Sequence, residues 1–223
     1  MKNLTSDPET LLHQERVAST AAPIPNPGNP AIYFLWQLDF RSEAAFHITT
    51  LTDLPKGGEK PSPDPLLRHY EGLSLCEVGL LLPELARLNE AGSGIFFCVN
   101  QCQGKRKKEN VTRVRCVHAD FDSATPSQID AVRQKLPPSI EVRTSGTSKC
   151  HMYWVLDGAD ELDVPTAEAI NRSLVDLGAD PAATDVSRLL RLPGFRHMKY
   201  RSIGETPLVT ATFSEEQSKG AEQ

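Results

Sequence analysis

The sequence predicts an α+β (mixed α/β) fold built on a largely antiparallel sheet. Segments rich in β-branched and aromatic residues mix with helical segments, without the strict alternation of a βαβ protein. The chain has 223 residues, which suits one domain with a substantial core. No run approaches the roughly 18 apolar residues of a membrane span, so we expect a soluble protein without a membrane partner.

The two ends and the cysteines suggest where the folded domain lies and where the protein works. The N-terminus lacks the apolar core of a signal peptide, and five cysteines, an odd number, argue against a disulfide framework. We therefore expect a cytoplasmic protein. Residues 1–30, which end in the proline-rich "AAPIPNPGNP", are predicted to be a flexible segment and linker, residues 31–213 the folded domain, and residues 214–223 a polar tail.

The first half of the domain contains one clear helix among β-rich runs. "AIYFLWQL" fits either a helix or a strand, whereas "AFHITTL" is rich in β-formers. Ser74 and Glu77 form a capping-box pattern, and the following leucines recur at helical spacing until Gly92. "GIFFCVN" (94–100) and "VRCVHADFD" (114–122) predict two neighbouring strands that flank a basic loop.

The second half continues the mixture of strands and helices. "SATPSQIDAVRQKL" predicts a helix with Ser or Thr as its N-cap and proline in its first turn. "SIEVRTS" and "HMYWVLDG" predict two strands, "DVPTAEAINRSLVDLG" a helix, and "PLVTATF" a last strand. "DVSRLLRLPG" (185–194) predicts a short helix that Pro-Gly ends.

Basic residues are concentrated in two segments. The net charge is −5, which by itself disfavours a phosphate-rich partner. However, residues 104–115 carry six basic residues and one acid, and residues 186–204 carry five basic residues and no acid. Such islands allow an acidic chain to bind an anion locally.

Two carboxylates, Asp120 and Asp122, follow a β-rich run. Residues i and i+2 of a strand share a face, so we expect the two side chains to project together. Neighbouring carboxylates repel each other unless one is protonated or a cation lies between them. Since Mg²⁺ and Mn²⁺ prefer oxygen ligands, the pair indicates a metal site, although a solvated strand end is the common alternative for an isolated D-x-D.

A turn of small residues precedes the strand of His151. "TSGTSK" offers backbone N–H groups and hydroxyls to an anion, and Lys149 and His151 add donors at its exit. If the strand begins at His151, this side chain shares a face with Tyr153 and lies in the same cleft as the aspartate pair.

A third acidic position, Asp185, lies where the N-cap of the predicted short helix would be. Arg188 and Arg191 would share one face of that helix, and Lys199 follows the Pro-Gly break. A capping aspartate with surface arginines is the simpler interpretation of this segment alone.

Together, these three motifs resemble a known family. A D-x-D, then a small-residue turn ending in histidine, then an aspartate followed by R-x-x-R-L-P-G is similar to the catalytic core of archaeo-eukaryotic primases and primase-polymerases, in particular RepB-like primases of plasmids and phages. The resemblance covers roughly residues 94–199. It implies a central sheet with an RRM-like half flanked by helices, and assigns residues 31–213 to the catalytic domain.

The resemblance also implies an activity and a site. It indicates a DNA primase/polymerase: a nucleotidyltransferase that uses two Mg²⁺ or Mn²⁺ ions, and no organic cofactor, to join NTPs or dNTPs on single-stranded DNA during plasmid- or phage-type replication. A helicase or helical accessory domain is an expected partner. His197 stands where relatives often have asparagine. The implied metal ligands and catalytic residues are Asp120, Asp122 and Asp185; the nucleotide-binding residues are Ser145, Gly146, Ser148, Lys149, His151, Arg188, Arg191 and Lys199; and the template-binding residues are Lys105, Arg106, Lys107 and Lys108.

Three alternatives stay open on the sequence. Cys98, Cys102, Cys116 and His118 could ligate zinc, but two of these cysteines lie in apolar β-runs and no C-x₂-C knuckle occurs, so we expect no zinc. A metal-dependent replication-initiator nuclease would use similar carboxylates. Nicking enzymes of that kind usually also have an H-x-H motif, which this chain lacks. A catalytically inactive single-stranded nucleic-acid-binding module is the third, and the complete set of carboxylates and histidine disfavours it.

Overall fold

The structure of the protein, a computed structural model, describes residues 28–55, 58–59, 61–146, 148–156 and 162–214. Most of the predicted N-terminal segment and C-terminal tail therefore lies outside the described residues. In chain order the elements are α1 (Pro30–Leu38), β1 (Phe46–Thr52), β2 (Arg68–Leu73), α2 (Leu75–Glu90), β3 (Ser93–Cys98), β4 (Gln101–Cys102), β5 (Val111–Arg113), β6 (Cys116–Phe121), α3 (Pro126–Lys135), β7 (Ile140–Ser145), β8 (Lys149–Val155), α4 (Val164–Ser173), β9 (Leu189–Arg191) and β10 (Thr210–Phe213).

The strands form two antiparallel sheets, which confirms the predicted α+β class. Sheet one has the order β2–β1–β3–β9, sheet two has the order β10–β7–β8–β6, and β4 and β5 form a separate hairpin. In sheet two, β8 lies between β6 and β7, the two strands that α3 connects. This β-α-β-β arrangement corresponds to the expected RRM-like half.

Local sequence signals explain how several helices begin. The Asn29 side chain accepts hydrogen bonds from the backbone N–H groups of Ala31 and Ile32, so the ambiguous segment 31–38 is a helix. The capping box of Ser74 and Glu77 is present at the start of α2. Thr125 caps α3, with Pro126 in the first helical position.

The prediction that the segments around β3 and β6 are neighbouring strands is wrong. β3 pairs with β1 and β9, whereas β6 pairs with β8 in the other sheet. The Asn100 side chain replaces backbone pairing at this point, since its Oδ1 accepts hydrogen bonds from the backbone N–H groups of Arg115 and Cys116. The basic loop therefore connects two sheets.

The predicted helix over residues 185–194 is also wrong, because this segment contains β9. Arg191 pairs with Phe96 of β3, and Leu190 and Leu192 are buried at the alternate spacing of a strand. Asp185 consequently caps no helix. Spaced leucines and arginines suit either structure, and pairing with β3 decides the outcome.

One core joins the two sheets. Phe34 of α1 makes edge-on ring contacts with Phe97 of sheet one at 5.1 Å and with Tyr153 of sheet two at 5.7 Å. All three side chains are fully buried. A second cluster packs α3 against the opposite face of sheet two, through Ala119, Phe121, Ile129, Val132 and Met152. Among the described helices, none is long and apolar enough to cross a membrane.

Candidate active site

The alternation of side chains along β6 places Asp120 and Asp122 in one cavity. Ala119 and Phe121 pack toward α3, while the two carboxylates lie on the other side and line the cavity together. Asp120 is largely buried, and Asp122, just beyond the strand end, is exposed. The sequence prediction for this pair therefore describes their placement correctly.

His151 lies beside Asp120. β8 begins at Lys149, two residues earlier than expected, and its register pairs His151 directly with Asp120. His151 Nε2 is 3.7 Å from Asp120 Oδ1, and His151 Nδ1 is 3.3 Å from the Tyr153 hydroxyl. The histidine thus shares the cleft of the aspartates, as the alternation along β8 predicts.

The central cavity has a volume of about 180 Å³ and lies where sheet two meets β9 of sheet one. Sheet two supplies carboxylates and His151, and the segment around β9 supplies basic residues. The lining consists of Phe96, Asp120, Asp122, Thr144, Ser145, Lys149, His151, Arg188, Leu189, Leu190, Arg191, His197, Lys199 and Tyr200.

A larger side cavity of about 750 Å³ adjoins the central one. The two cavities share Ser145, Lys149 and Tyr200. Gly146 has a φ of +65°, a left-handed conformation that favours glycine in this turn. Thr147 lies outside the described residues. The lining consists of Ser145, Gly146, Ser148, Lys149, Arg196, Tyr200, Gly204, Glu205, Thr206 and Pro207.

The electrostatic state of Asp120 is unusual for a carboxyl group. Burial and the nearby charges of Asp122 and Asp180 raise the pKa of Asp120 from 3.8 to about 7, although Arg188 and Arg191 act in the opposite direction. A second carboxylate so close makes ionisation costly without a cation. Two carboxylates that share one cavity and repel each other fit a divalent metal ion.

Both histidines of the central cavity are neutral at pH 7. Burial and the charge of Arg191 lower the pKa of His151 to about 3 and that of His197 to about 4. His197 Nδ1 lies 3.2 Å from the Thr144 carbonyl oxygen, so it carries the proton and donates. Among the described residues, four buried side-chain atoms have no hydrogen-bond partner. Two belong to Arg115, and the other two, His197 Nε2 and Ser145 Oγ, belong to residues that line the central cavity, which suits a cavity that receives a polar ligand.

The predicted basic residues line the central cavity from the side of β9. Arg191 donates to both carboxylate oxygens of Asp53, at 2.8 and 2.9 Å. Arg188 Nη1 lies 3.6 Å from Asp185 Oδ2. Lys199 and Lys149 flank Tyr200: Lys199 Nζ is 5.8 Å from the centre of its ring, and Lys149 Nζ is 3.5 Å from its hydroxyl.

Asp185 is beside the cavity but not in its lining. Its Oδ1 accepts a hydrogen bond from the Ser187 hydroxyl, and its charge acts on His118 of β6. Among the described residues, no group of three or more His, Cys, Asp or Glu side chains is close enough to hold a metal ion. The structure thus brings Asp120 and Asp122 together and leaves Asp185 paired with Arg188.

Solved structures share this architecture. The crystal structure of primase RepB' has a TM-score of 0.59 and 20% identity, covering 86% of this chain and 61% of that chain. The RepB' catalytic domain in complex with initiator DNA has a TM-score of 0.56 and 20% identity, covering 86% of this chain and 92% of that one. The AEP domain of the cyanophage S-2L primase-polymerase has a TM-score of 0.58 and 20% identity, covering 85% and 91%.

The chain has an archaeo-eukaryotic primase-type fold. The resemblance of the three sequence motifs to this family is thereby confirmed at the level of the fold. No protein-family model and no curated protein matches the sequence. The chain spans less than two thirds of the whole RepB' primase but nearly all of its catalytic domain.

In this primase-type fold, the basic loop is attached outside the two cavities. Arg106 donates to the Ser187 carbonyl at 2.8 Å, and Lys108 forms an ion pair with Glu168 of α4. Lys107 pairs with Glu109 on the surface, and Lys105 is exposed. All four predicted template-binding residues are therefore exposed, but Arg106 and Lys108 are also held by contacts with other segments.

Several residues of the site were missed by the sequence analysis. Asp53, directly after β1, and Asp180, which raises the pKa of Asp120, belong to no motif. Tyr200 lines the cavity without a distinctive pattern around it, and Thr144, the first residue of the small-residue turn, was assigned no role of its own. His197, which also lines the cavity, was noted only as the position where relatives often have asparagine, and no role was predicted for it.

The cysteines of the zinc alternative do not form one cluster. Cys98 Sγ and Cys102 Sγ lie 3.8 Å apart. His118, however, directs its ring toward the Ala183 carbonyl and the Asn171 side chain. The described geometry therefore gives no support to a four-ligand zinc site.

Proposed function

We propose that the protein is the catalytic core of a DNA primase/polymerase, a nucleotidyltransferase that joins nucleotides on a single-stranded DNA template. The observation that carries the proposal is the central cavity, in which Asp120, Asp122 and His151 on the side of sheet two face Arg188, Arg191 and Lys199 on the side of β9. A carboxylate pair opposite a basic wall suits a metal-bound triphosphate.

Two Mg²⁺ or Mn²⁺ ions are the proposed cofactors. Asp120 and Asp122 would hold them. Asp185, the proposed third ligand, lies outside the cavity lining in this structure and would have to leave its contact with Arg188, 3.6 Å away, to join the pair. When bound, such ions supply charge stabilisation and activation of a hydroxyl for phosphoryl transfer. No organic cofactor is needed for this chemistry.

The protein side chains bind and orient the nucleotide in this proposal. Lys149, Ser148 and the Ser145–Gly146 turn offer donors to phosphate oxygens from the side cavity. Arg188 and Lys199 neutralise phosphate charge from the central cavity. His151 is neutral and buried beside Asp120, and from there it would contact the triphosphate.

The partners follow from the same proposal. Single-stranded DNA would lie along the basic loop, where Lys105 and Lys107 are exposed, and NTPs or dNTPs would occupy the two cavities. One solved relative of this fold is described as bound to initiator DNA. A replicative helicase or helical accessory domain completes the proposed set, in plasmid- or phage-type replication.

The deciding experiment is nucleotide incorporation on single-stranded DNA. The chain is incubated with labelled NTPs or dNTPs and Mg²⁺ or Mn²⁺, with and without an annealed primer. We expect product from the wild type and none from the Asp120→Ala, Asp122→Ala double variant. Asp176→Ala, which removes an exposed carboxylate outside both cavities, is the matched control and keeps activity. A double variant as active as the wild type contradicts the proposal.

A further inference from the structure

Asp53 lies close to three residues that line the central cavity, Arg191, Lys199 and His197. Its carboxylate accepts two hydrogen bonds from Arg191 and a third, at 3.1 Å, from the backbone N–H of Lys199. Its Oδ2 also lies 4.0 Å from His197 Nε2. The Asp53 side chain is only 5% exposed, and Asp53 itself is not part of the cavity lining.

The side-chain contact between Asp53 and Arg191 passes over β3, which has a glycine at the crossing point. Asp53 follows β1 and Arg191 lies on β9, so the arginine side chain passes over β3, the strand between them. β3 has Gly94 at this point, where an added Cβ would lie 3.1 Å from Arg191 Nη1 and 2.6 Å from the Phe96 ring. A larger residue would therefore disturb the arginine.

The arginine is restrained on its other side as well. Its guanidinium carbon lies 4.9 Å from the centre of the Phe96 ring. A guanidinium has five N–H donors, and Asp53 takes two of them in the paired geometry that carboxylates favour. The remaining donors are held in a fixed direction at a residue that lines the cavity.

We propose that Asp53 is a positioning residue for the nucleotide, which holds Arg191 and the Lys199 backbone in the geometry that receives the phosphates. This inference rests on the proposed function. A positioning role and a simple charge effect predict opposite results, because Asp53 is an anion close to the proposed phosphate site. If charge alone mattered, removing it would tighten phosphate binding.

The sign of one affinity change therefore tests the proposal. The dissociation constant of dATP with Mg²⁺ is measured by calorimetry for the wild type and Asp53→Asn. We expect Asp53→Asn to bind dATP about tenfold more weakly and to lose about 10- to 100-fold in kcat/KM, the order expected when binding groups move by about 1 Å. Unchanged or tighter dATP binding overturns the inference.

Asp39→Asn is the matched control. Asp39 is another buried carboxylate, 3.0 Å from Arg115 Nε, and it lies outside both cavity linings. We expect this variant to lower Tm without changing dATP affinity. Equal weakening of dATP binding by both variants would mean that loss of any buried ion pair suffices, and would reject a specific role for Asp53.

A second variant covers the case in which Asp53→Asn does not fold. Gly94→Ala keeps every polar group but intrudes on Arg191 and Phe96, so it too should weaken dATP binding. Wild-type affinity in Gly94→Ala then overturns the inference. A wild type that binds neither dATP nor ATP overturns the proposed function itself, whereas a wild type that binds nucleotide with unaffected variants overturns only the role of Asp53.

Discussion

His151 Nε2 lies 3.7 Å from Asp120 Oδ1 across the β6–β8 pair, at the point where both strands reach the central cavity. Burial holds the histidine neutral and raises the pKa of Asp120 to about 7, so the two groups do not form an ion pair at neutral pH. The carboxyl group instead has a cost of ionisation that a metal ion would remove.

Replacing Asp120 should therefore stabilise the metal-free protein while removing activity. The folded-state pKa of about 7 exceeds the ordinary value of 3.8, so the favourable contribution of the protonated group is lost as pH rises through 7. At pH 8 in EDTA, we expect Asp120→Asn to raise the free energy of unfolding by about 1–4 kcal/mol, measured by urea denaturation. Asp176→Asn, at an exposed carboxylate, should show no gain. A less stable Asp120→Asn protein would refute this.

The buried histidines should make the protein sensitive to acid. The pKa values of His118 and His197 are lowered to about 4 and that of His151 to about 3, mainly by burial. Their stabilising contribution is complete above pH 6.5 and is lost as pH falls from there toward 4. Between pH 7.5 and 5 we expect a loss of about 2 kcal/mol for each histidine, partly offset by protonation of Asp120.

Urea denaturation of the metal-free protein at the two pH values measures this loss. His69→Gln is the control, since His69 is exposed on β2, and the variant should keep the same pH dependence. An unfolding free energy that is equal at pH 7.5 and pH 5 would show that the histidines do not carry the effect.

Asp185 and Asp180 provide a paired test of the third carboxylate. We expect Asp185→Asn to abolish nucleotide incorporation as completely as Asp120→Asn, because its carboxylate is the proposed third metal ligand. Asp180 Oδ1 accepts a hydrogen bond from the Ala182 N–H and caps a short 3₁₀ helix, so Asp180→Asn should keep activity within about tenfold. The reverse order of activities would assign the third ligand to Asp180.

The basic loop should divide into template-binding and structural lysines. Residues 105–108 are all exposed, but Arg106 and Lys108 contact Ser187 and Glu168. Lys105→Ala and Lys107→Ala should therefore each weaken single-stranded DNA binding and reduce the slope of log K against log salt by about 0.7. Fluorescence anisotropy at several salt concentrations measures both quantities. Lys135→Ala, at an exposed lysine of α3, serves as the control and leaves the slope unchanged. Equal slopes in all variants would place the DNA elsewhere.

The features that could be predicted from the sequence are those that depend on a single strand or a single helix cap. Alternation along β6 predicts that Asp120 and Asp122 share a face, and alternation along β8 predicts the side of His151. The capping box at Ser74 likewise needs only residues close in the chain. These signals are local, so they can be recognised without knowledge of the fold.

The remaining parts depend on contacts between distant segments. The run "RLLRL" has leucines and arginines that fit a helix as well as a strand, and only pairing with β3 makes it β9. Asp53 and Arg191 are 138 positions apart, and a single aspartate after a strand carries no motif. β3 and β6 likewise belong to different sheets. The connection between them is the Asn100 side chain, which accepts hydrogen bonds from the backbone N–H groups of Arg115 and Cys116, and no local pattern predicts it.

The contacts of Phe34 give this fold a property that the cavity alone does not reveal. The ring touches Phe97 of one sheet and Tyr153 of the other, and His151 lies two residues before Tyr153 on the same face. Phe34 therefore acts as a spacer between the anionic and cationic halves of the site. The spacing between the two halves of the proposed triphosphate site therefore depends in part on an uncharged ring of the first helix that does not itself line the cavity.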